Sequence, residues 1–187
     1  MKIAMIVGSR RAHSFNGQLA ALATKALKQK AETTIIEWKD VPFFDQDEEF
    51  PVPESVQRIR EQIGECDGVW LFTPEYNGQI PGGEKNLLDW LSRGEKPGQR
   101  KTVMTGMPAA ISSVGGRMGG ANSAKLLERL LAVMGMKVMP DMTTISLAPA
   151  SWQSDDLADT PDVQNKIDVQ AEMFIAWIKE NRKEKTE

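Results

Sequence analysis

With 187 residues, 41% of them hydrophobic and 26% charged, the chain has the make-up of a folded globular protein and falls outside the disordered and membrane-embedded classes. A formal net charge of −3 leaves no broad basic surface, so no nucleic-acid partner is expected. Cys66 is the only cysteine, which excludes an intramolecular disulfide and suggests a cytoplasmic protein.

Apolar runs alternate with amphipathic ones along the chain, the pattern of a parallel α/β sheet. Ile3 to Val7 reads as a buried strand that starts just after Met1 and leaves no room for a signal peptide. Leu19, Leu22, Ala23, Ala26 and Leu27 then recur at helical spacing. Thr34 to Trp38 reads as a second strand whose mixed polarity suits a sheet edge. Val41 to Pro53 carries three prolines, three phenylalanines and a run of acids, so it is read as a loop. A helix from about Glu54 to Ile63 leads into a third strand, Gly68 to Phe72. Leu87, Leu88, Trp90 and Leu91 form the apolar face of the next helix, stopped by Gly94. Thr102 to Thr105 has some strand character, but Ala109 to Val114 is taken as the fourth strand, closed by Gly115-Gly116. Leu126, Leu127, Leu130, Leu131 and Met134 make a helical stripe. Lys137 to Leu147 holds the fifth strand, Val163 to Lys179 forms the last helix, and the charged tail Lys179 to Glu187 is expected to fray. No apolar run approaches the roughly 20 residues of a bilayer span, and no repeat or composition break divides residues 1–187 into two domains.

Five strands joined by helices fit a doubly wound sheet. In the flavodoxin-like order the first and third strands lie side by side, and ligands bind beyond their carboxyl ends. After the first strand comes Gly8-Ser9-Arg10-Arg11-Ala12-His13-Ser14-Phe15-Asn16, opening directly into a helix. A helix N-terminus offers free N–H groups and partial positive charge to a phosphate, and Arg11 adds a charge-assisted donor. Taken alone, the loop reads equally well as a helix cap provided by Ser14 or Asn16. After the third strand comes Thr73-Pro74-Glu75-Tyr76-Asn77-Gly78-Gln79-Ile80-Pro81-Gly82-Gly83. Its residue types make a turn, yet it also carries the chain's only tyrosine, which would suit a flat heterocycle. The third loop, Ser112-Ser113-Val114-Gly115-Gly116-Arg117-Met118-Gly119-Gly120, reads as a flexible connection or as a place where backbone approaches a ligand closely.

Together these residues carry a resemblance. The loop G-S-x-R-x-x-S-F-N, the stretch T-P-E-Y-N-x-x-I-P-G-G-x-K-N-x-x-D-W-L-S-R over Thr73 to Arg93, and the G-G-R-x-G-G loop resemble the NAD(P)H-dependent FMN reductase family, which includes chromate, quinone and azo-dye reductases. The likeness runs from residue 2 to about residue 140. It implies a flavodoxin-like five-stranded sheet in the order 2-1-3-4-5, helices on both faces, bound FMN, and a homodimer or homotetramer. By position, Ser9, Arg11, Ser14, Phe15 and Asn16 would hold the phosphate. Pro74, Glu75, Tyr76, Asn77 and Gly78 would border the flavin, with Ser113 and Gly115 touching it from the third loop. NAD(P)H would deliver its hydride and leave before a small acceptor (free flavin, quinone, azo compound or metal oxyanion) enters the same space. Two departures stand out. Some relatives carry a tyrosine where this chain has Gly78, which opens the pocket, and the Gly94–Pro108 connection is longer than usual. A flavodoxin-type electron carrier is the alternative, but such carriers resemble a T-x-T-G-N-T loop absent here; a nucleotide-binding module without turnover accounts for fewer of the loops.

Hydride transfer through a flavin needs no protein base, so no residue is assigned a catalytic role and His13 is read as local polarity. No metal-ligating set is assigned. Cys66 is expected to pack as a small apolar side chain, and Glu75 to take a structural or hydrogen-bonding part rather than act as an acid. Met104, Met107 and Met118 fall in connections and are candidates for a subunit contact or acceptor site.

Overall fold

The computed structural model describes residues 1–181; residues 182–187, most of the tail expected to fray, lie outside them. In strand β1, Lys2–Val7, Ile3 and Met5 face one side and Ala4 and Ile6 the other, all fully buried. Alternate side chains of a strand point to opposite faces, so burial of both requires cover on both sides. Strands β2 (Glu32–Ile35), β3 (Gly68–Phe72) and β4 (Pro108–Gly115) run parallel to it. Two short strands, β5 (Lys137–Val138) and β6 (Thr143–Ser146), both pair with β4. The order β2-β1-β3-β4-β5 is the flavodoxin-like order expected from the sequence.

Two strands differ from expectation. The second occupies Glu32–Ile35 rather than Thr34–Trp38. The Ile36 N–H still donates to the Met5 carbonyl at 2.9 Å. The Val7 carbonyl is then taken by the Trp38 indole N–H at 3.0 Å, a side-chain donor where a ladder would need a backbone one. The fifth strand is split because Pro140 has no N–H to give; pairing resumes three residues later at Thr143 opposite Ser112.

Helix α1 (Phe15–Leu27) and the last helix, α6 (Val163–Asn181), cover one face, packing Leu19, Leu27, Phe174 and Ile178 on Ile3, Met5, Trp70 and Phe72. Helices α2 (Glu54–Gly64), α3 (Gly82–Leu91) and α4 (Ala121–Val133) cover the other. The α4 stripe is narrower than its sequence suggests: Leu127 and Leu131 are fully buried while Leu126 is exposed. Met104 and Met107 belong to the core, 0% and 4% exposed, so they line no surface contact; of the three connection methionines only Met118 is exposed. A short helix α5 (Pro149–Ser154) and a 3-10 turn at Leu157–Asp159 were not expected, although Pro149 at the first helical position is a start signal. This segment lies on the beginning of α1. Trp152 meets the Phe15 ring edge-on at 5.5 Å, and Gln18 bridges to the Asp155 carbonyl and the Leu157 N–H. No described helix is long and apolar enough to cross a membrane.

Candidate active site

The parallel pairing of β1 with β3 sets Val7 opposite Phe72, so the loops that follow them leave the sheet side by side. In the first loop Ser14 caps α1, its Oγ accepting the Gly17 N–H at 3.0 Å. The N–H groups of Phe15 and Asn16 have no acceptor inside the helix and stay available to an anion at a positive helix end. Ser9, Ser14, Phe15 and Asn16 are all buried beneath this turn and Arg11 is exposed above it. The Arg11 guanidinium lies 5.5 Å from the Phe15 ring centre and forms an ion pair with Asp155. A carboxylate therefore already engages the cation that the sequence reserves for a phosphate. The Asn16 side chain is committed elsewhere, to both backbone groups of Val114: Nδ2 donates to its carbonyl at 2.9 Å and Oδ1 accepts its N–H at 3.1 Å. Asn16 thus ties the first loop to the third and leaves its N–H in the first turn of α1.

The second loop ends in a two-residue hairpin. Tyr76 and Gln79 exchange backbone hydrogen bonds at 3.2 and 3.0 Å, and Asn77 and Gly78 both have positive φ, 55° and 72°. That is the type I′ turn an Asn-Gly pair favours. It lifts Tyr76 to 52% exposure above a buried Pro74. Glu75 turns away from the tip. Its carboxylate accepts the backbone N–H groups of Asn122 and Ser123 at 2.9 and 3.1 Å and the Asn122 amide at 3.1 Å. Gly120, the N-cap of α4, has no side chain to offer, so Glu75 caps that helix from 45 residues upstream and pins the tyrosine turn to it.

In the third loop Ser113 is 0% exposed and donates to the Thr73 carbonyl at 2.6 Å. That bond holds the second and third loops together. A Cβ on Gly120 would fall 1.9 Å from Ser113 Oγ, and its φ is +76°, so only glycine allows this approach. Gly115 stays in the ladder opposite Ser146, its carbonyl accepting the Leu147 N–H at 2.9 Å.

Sequence reasoning missed Asp155, Thr73 and Glu84. Glu84 left a signal: with Leu87, Leu88 and Leu91 it completes an i, i+3, i+4, i+7 stripe in which one member is charged. It is fully buried in the first turn of α3, with its Oε2 2.6 Å from Thr73 Oγ1. A groove of about 470 Å³ runs from Ser9, Arg11 and Ser14 along Gly17 and Ala21 to Trp38 and Lys39. It flanks the first loop on the β2 side, and the tyrosine turn is not among its walls.

A terminal monophosphate fits this donor set: two free helix N–H groups, two serine hydroxyls and one arginine at the switch edge, with an aromatic turn beside them. Fold and site together define a flavodoxin-like flavin-nucleotide protein. Residues 1–149 match the family model described as NADPH-dependent FMN reductase. A quinone reductase of Escherichia coli (strain K12) is 36% identical over 143 residues, covering 74% of this chain and 73% of that protein. A 2-hydroxy-1,4-benzoquinone reductase of Burkholderia sp. is 30% identical over 185 residues, covering 97% and 98%. Among solved structures, FerB, a flavoenzyme NAD(P)H:(acceptor) oxidoreductase from Paracoccus denitrificans, superposes with a TM-score of 0.82 at 28% identity over 97% of this chain and 99% of that one. A flavodoxin from Pseudomonas aeruginosa shares the fold at a TM-score of 0.59 and 15% identity, over 96% and 99%. The chain belongs to the NADPH-dependent FMN reductase family, oxidoreductases that use FMN and take electrons from NAD(P)H.

Proposed function

We propose that the chain reduces quinones with electrons from NAD(P)H, and that FMN lies across the carboxyl ends of β1, β3 and β4. The observation that carries this reading is the serine-capped N-terminus of α1, with Arg11 above it, set beside the tyrosine turn at the switch edge. Ser9, Arg11, Ser14 and the N–H groups of Phe15 and Asn16 hold the phosphate. Pro74, Tyr76, Asn77 and Gly78 border the flat ring. Glu75, Ser113, Gly115 and the Asn16 side chain fix the loops at the right separation.

When bound, FMN supplies the two-electron chemistry, and the protein supplies position and electrostatics. Tyr76 and Met118 are 52% and 62% exposed, and a single flavin face admits a planar donor and a planar acceptor only in turn. Quinone is favoured among the acceptors by the names of the relatives. A second copy of the chain completes the open side, so a dimer or tetramer is expected at micromolar concentration; a monomer mass by light scattering in fully active protein would contradict that. A cytoplasmic setting agrees with the single buried Cys66, whose thiol burial pushes up to about 11, leaving it a poor nucleophile.

The test is spectroscopic. Protein loaded with FMN should be yellow, lose its colour on anaerobic mixing with NADH or NADPH, and regain it when a benzoquinone is added. If NAD(P)H leaves the colour intact while a separate reductase protein bleaches it, the chain is an electron carrier.

A further inference from the structure

The Glu84 carboxyl lies under the junction of the phosphate loop and the tyrosine loop, and the reading above gives it no task. It is 0% exposed. Its Oε2 lies 2.6 Å from Thr73 Oγ1, which is also 3.2 Å from the Pro74 carbonyl and 3.1 Å from Ser123 Oγ. Among the described residues its Oε1 has no hydrogen-bond partner. A Cβ on Gly8 would fall 2.2 Å from Oε2, so the first residue of the phosphate loop packs on the carboxyl itself. One acid thus touches the loops after β1 and after β3.

Among the described residues no neighbouring cation compensates its charge. From the first loop, Arg10 passes beside Gly83 but carries its guanidinium over Trp38 to the Lys39 carbonyl. From the second loop, Glu75 is held by the N-terminus of α4, which itself contributes only the neutral Ser123. On α3, Lys85 pairs with Asp89. Burial therefore dominates and pushes Glu84 up to about 8, opposed only by the Thr73 hydrogen bond. At neutral pH the carboxyl keeps its proton and donates it to Thr73, whose own single proton is then free for the Pro74 carbonyl. On ionisation the Thr73 proton turns to the carboxylate. The Pro74 carbonyl loses its donor, and a negative charge appears beneath the phosphate loop.

We propose that Glu84 is a positioning residue whose neutral carboxyl ties the phosphate loop to the tyrosine loop, and whose ionisation weakens FMN binding. This rests on the FMN reading above.

The test titrates full-length wild type and Glu84→Gln with FMN, following quenching of flavin fluorescence from about pH 7 upward, where phosphate is already dianionic, its second ionisation lying near 6. Wild-type affinity should hold to about pH 8 and then fall by up to tenfold per pH unit, the limit for one coupled proton; Glu84→Gln should stay level. Thr73→Val removes the bond that lowers the acid's pKa and should move the fall to higher pH. A second readout needs no flavin. The folded-state pKa of Glu84 lies above its unfolded value, so the folded state holds the extra proton between about 4.5 and about 8. Urea unfolding should then show wild type losing stability relative to Glu84→Gln as pH rises through that window. The ratio of unfolding constants should grow by up to tenfold per unit and stop growing above it. A ratio independent of pH would overturn the neutral carboxyl. An affinity that falls equally in Glu84→Gln, or a fall unmoved by Thr73→Val, would overturn its link to the flavin. If no variant binds FMN at any pH, the functional reading fails and the flavin half of the inference with it, while urea unfolding still judges the protonation of Glu84.

Discussion

Replacing Arg11 and Asp155 separately, and then together, separates a phosphate clamp from a surface ion pair. The two side chains are 49% and 51% exposed, and a pair so open to solvent contributes at most about 1 kcal/mol. A charge-assisted bond from Arg11 to a bound phosphate contributes about 1.5–3 kcal/mol. The phosphate therefore wins the competition, but FMN binding must first release Asp155. Arg11→Ala should lose the phosphate bond and be spared the release, a net weakening of about 0.5–3 kcal/mol, or roughly 2- to 150-fold in Kd. Asp155→Asn should tighten FMN by up to about 1 kcal/mol, close to fivefold, and in the double variant the Asn substitution should add nothing. Isothermal titration with FMN and with riboflavin reads all of this, since riboflavin has no phosphate and should bind the four proteins alike. If Arg11→Ala binds FMN as wild type does, Arg11 is not in the phosphate site. If Asp155→Asn weakens FMN instead, Asp155 holds Arg11 in place rather than competing for it.

Glu75→Ala leaves the Asn122 and Ser123 N–H groups of α4 without their acceptor, and should cost about 1–2 kcal/mol, the usual range for a lost cap. In a chain of this size that lowers Tm by about 2–4 °C per kcal/mol, so an unchanged circular-dichroism melt of the apo-protein would count against the capping role. His13 is exposed and no proton need be removed from the donor, so His13→Gln should keep most of the anaerobic rate of flavin reduction; a large loss would assign it a proton-handling part. With one open face for both substrates, steady-state rates at several fixed quinone concentrations should give parallel double-reciprocal lines, and lines that converge would mean both bind at once.

What the chain declared by itself is local. Ile3 to Val7 and Gly68 to Phe72 are apolar runs short enough to be strands and continuous enough to be buried on both faces. Ser14 before a helical stripe is a cap, and Asn77-Gly78 specifies a type I′ turn through its own backbone preferences. Such signals lie within a few residues of one another, so they survive without any knowledge of the fold. Strand ends were less legible: the Trp38 indole reaches a carbonyl 31 residues away, and no local pattern announces that. The partners inside the site depend wholly on how the sheet is wound. Asp155 meets Arg11 across 144 residues, Asn16 meets Val114 across 98, and Glu75 reaches α4 across 47. Glu84 shows the division most plainly. Its place on an apolar stripe is written in the sequence, but the raised pKa comes from burial under two loops that only the β1–β3 pairing brings together. Desolvation is a property of the assembled volume around a group, and no segment of chain carries it alone.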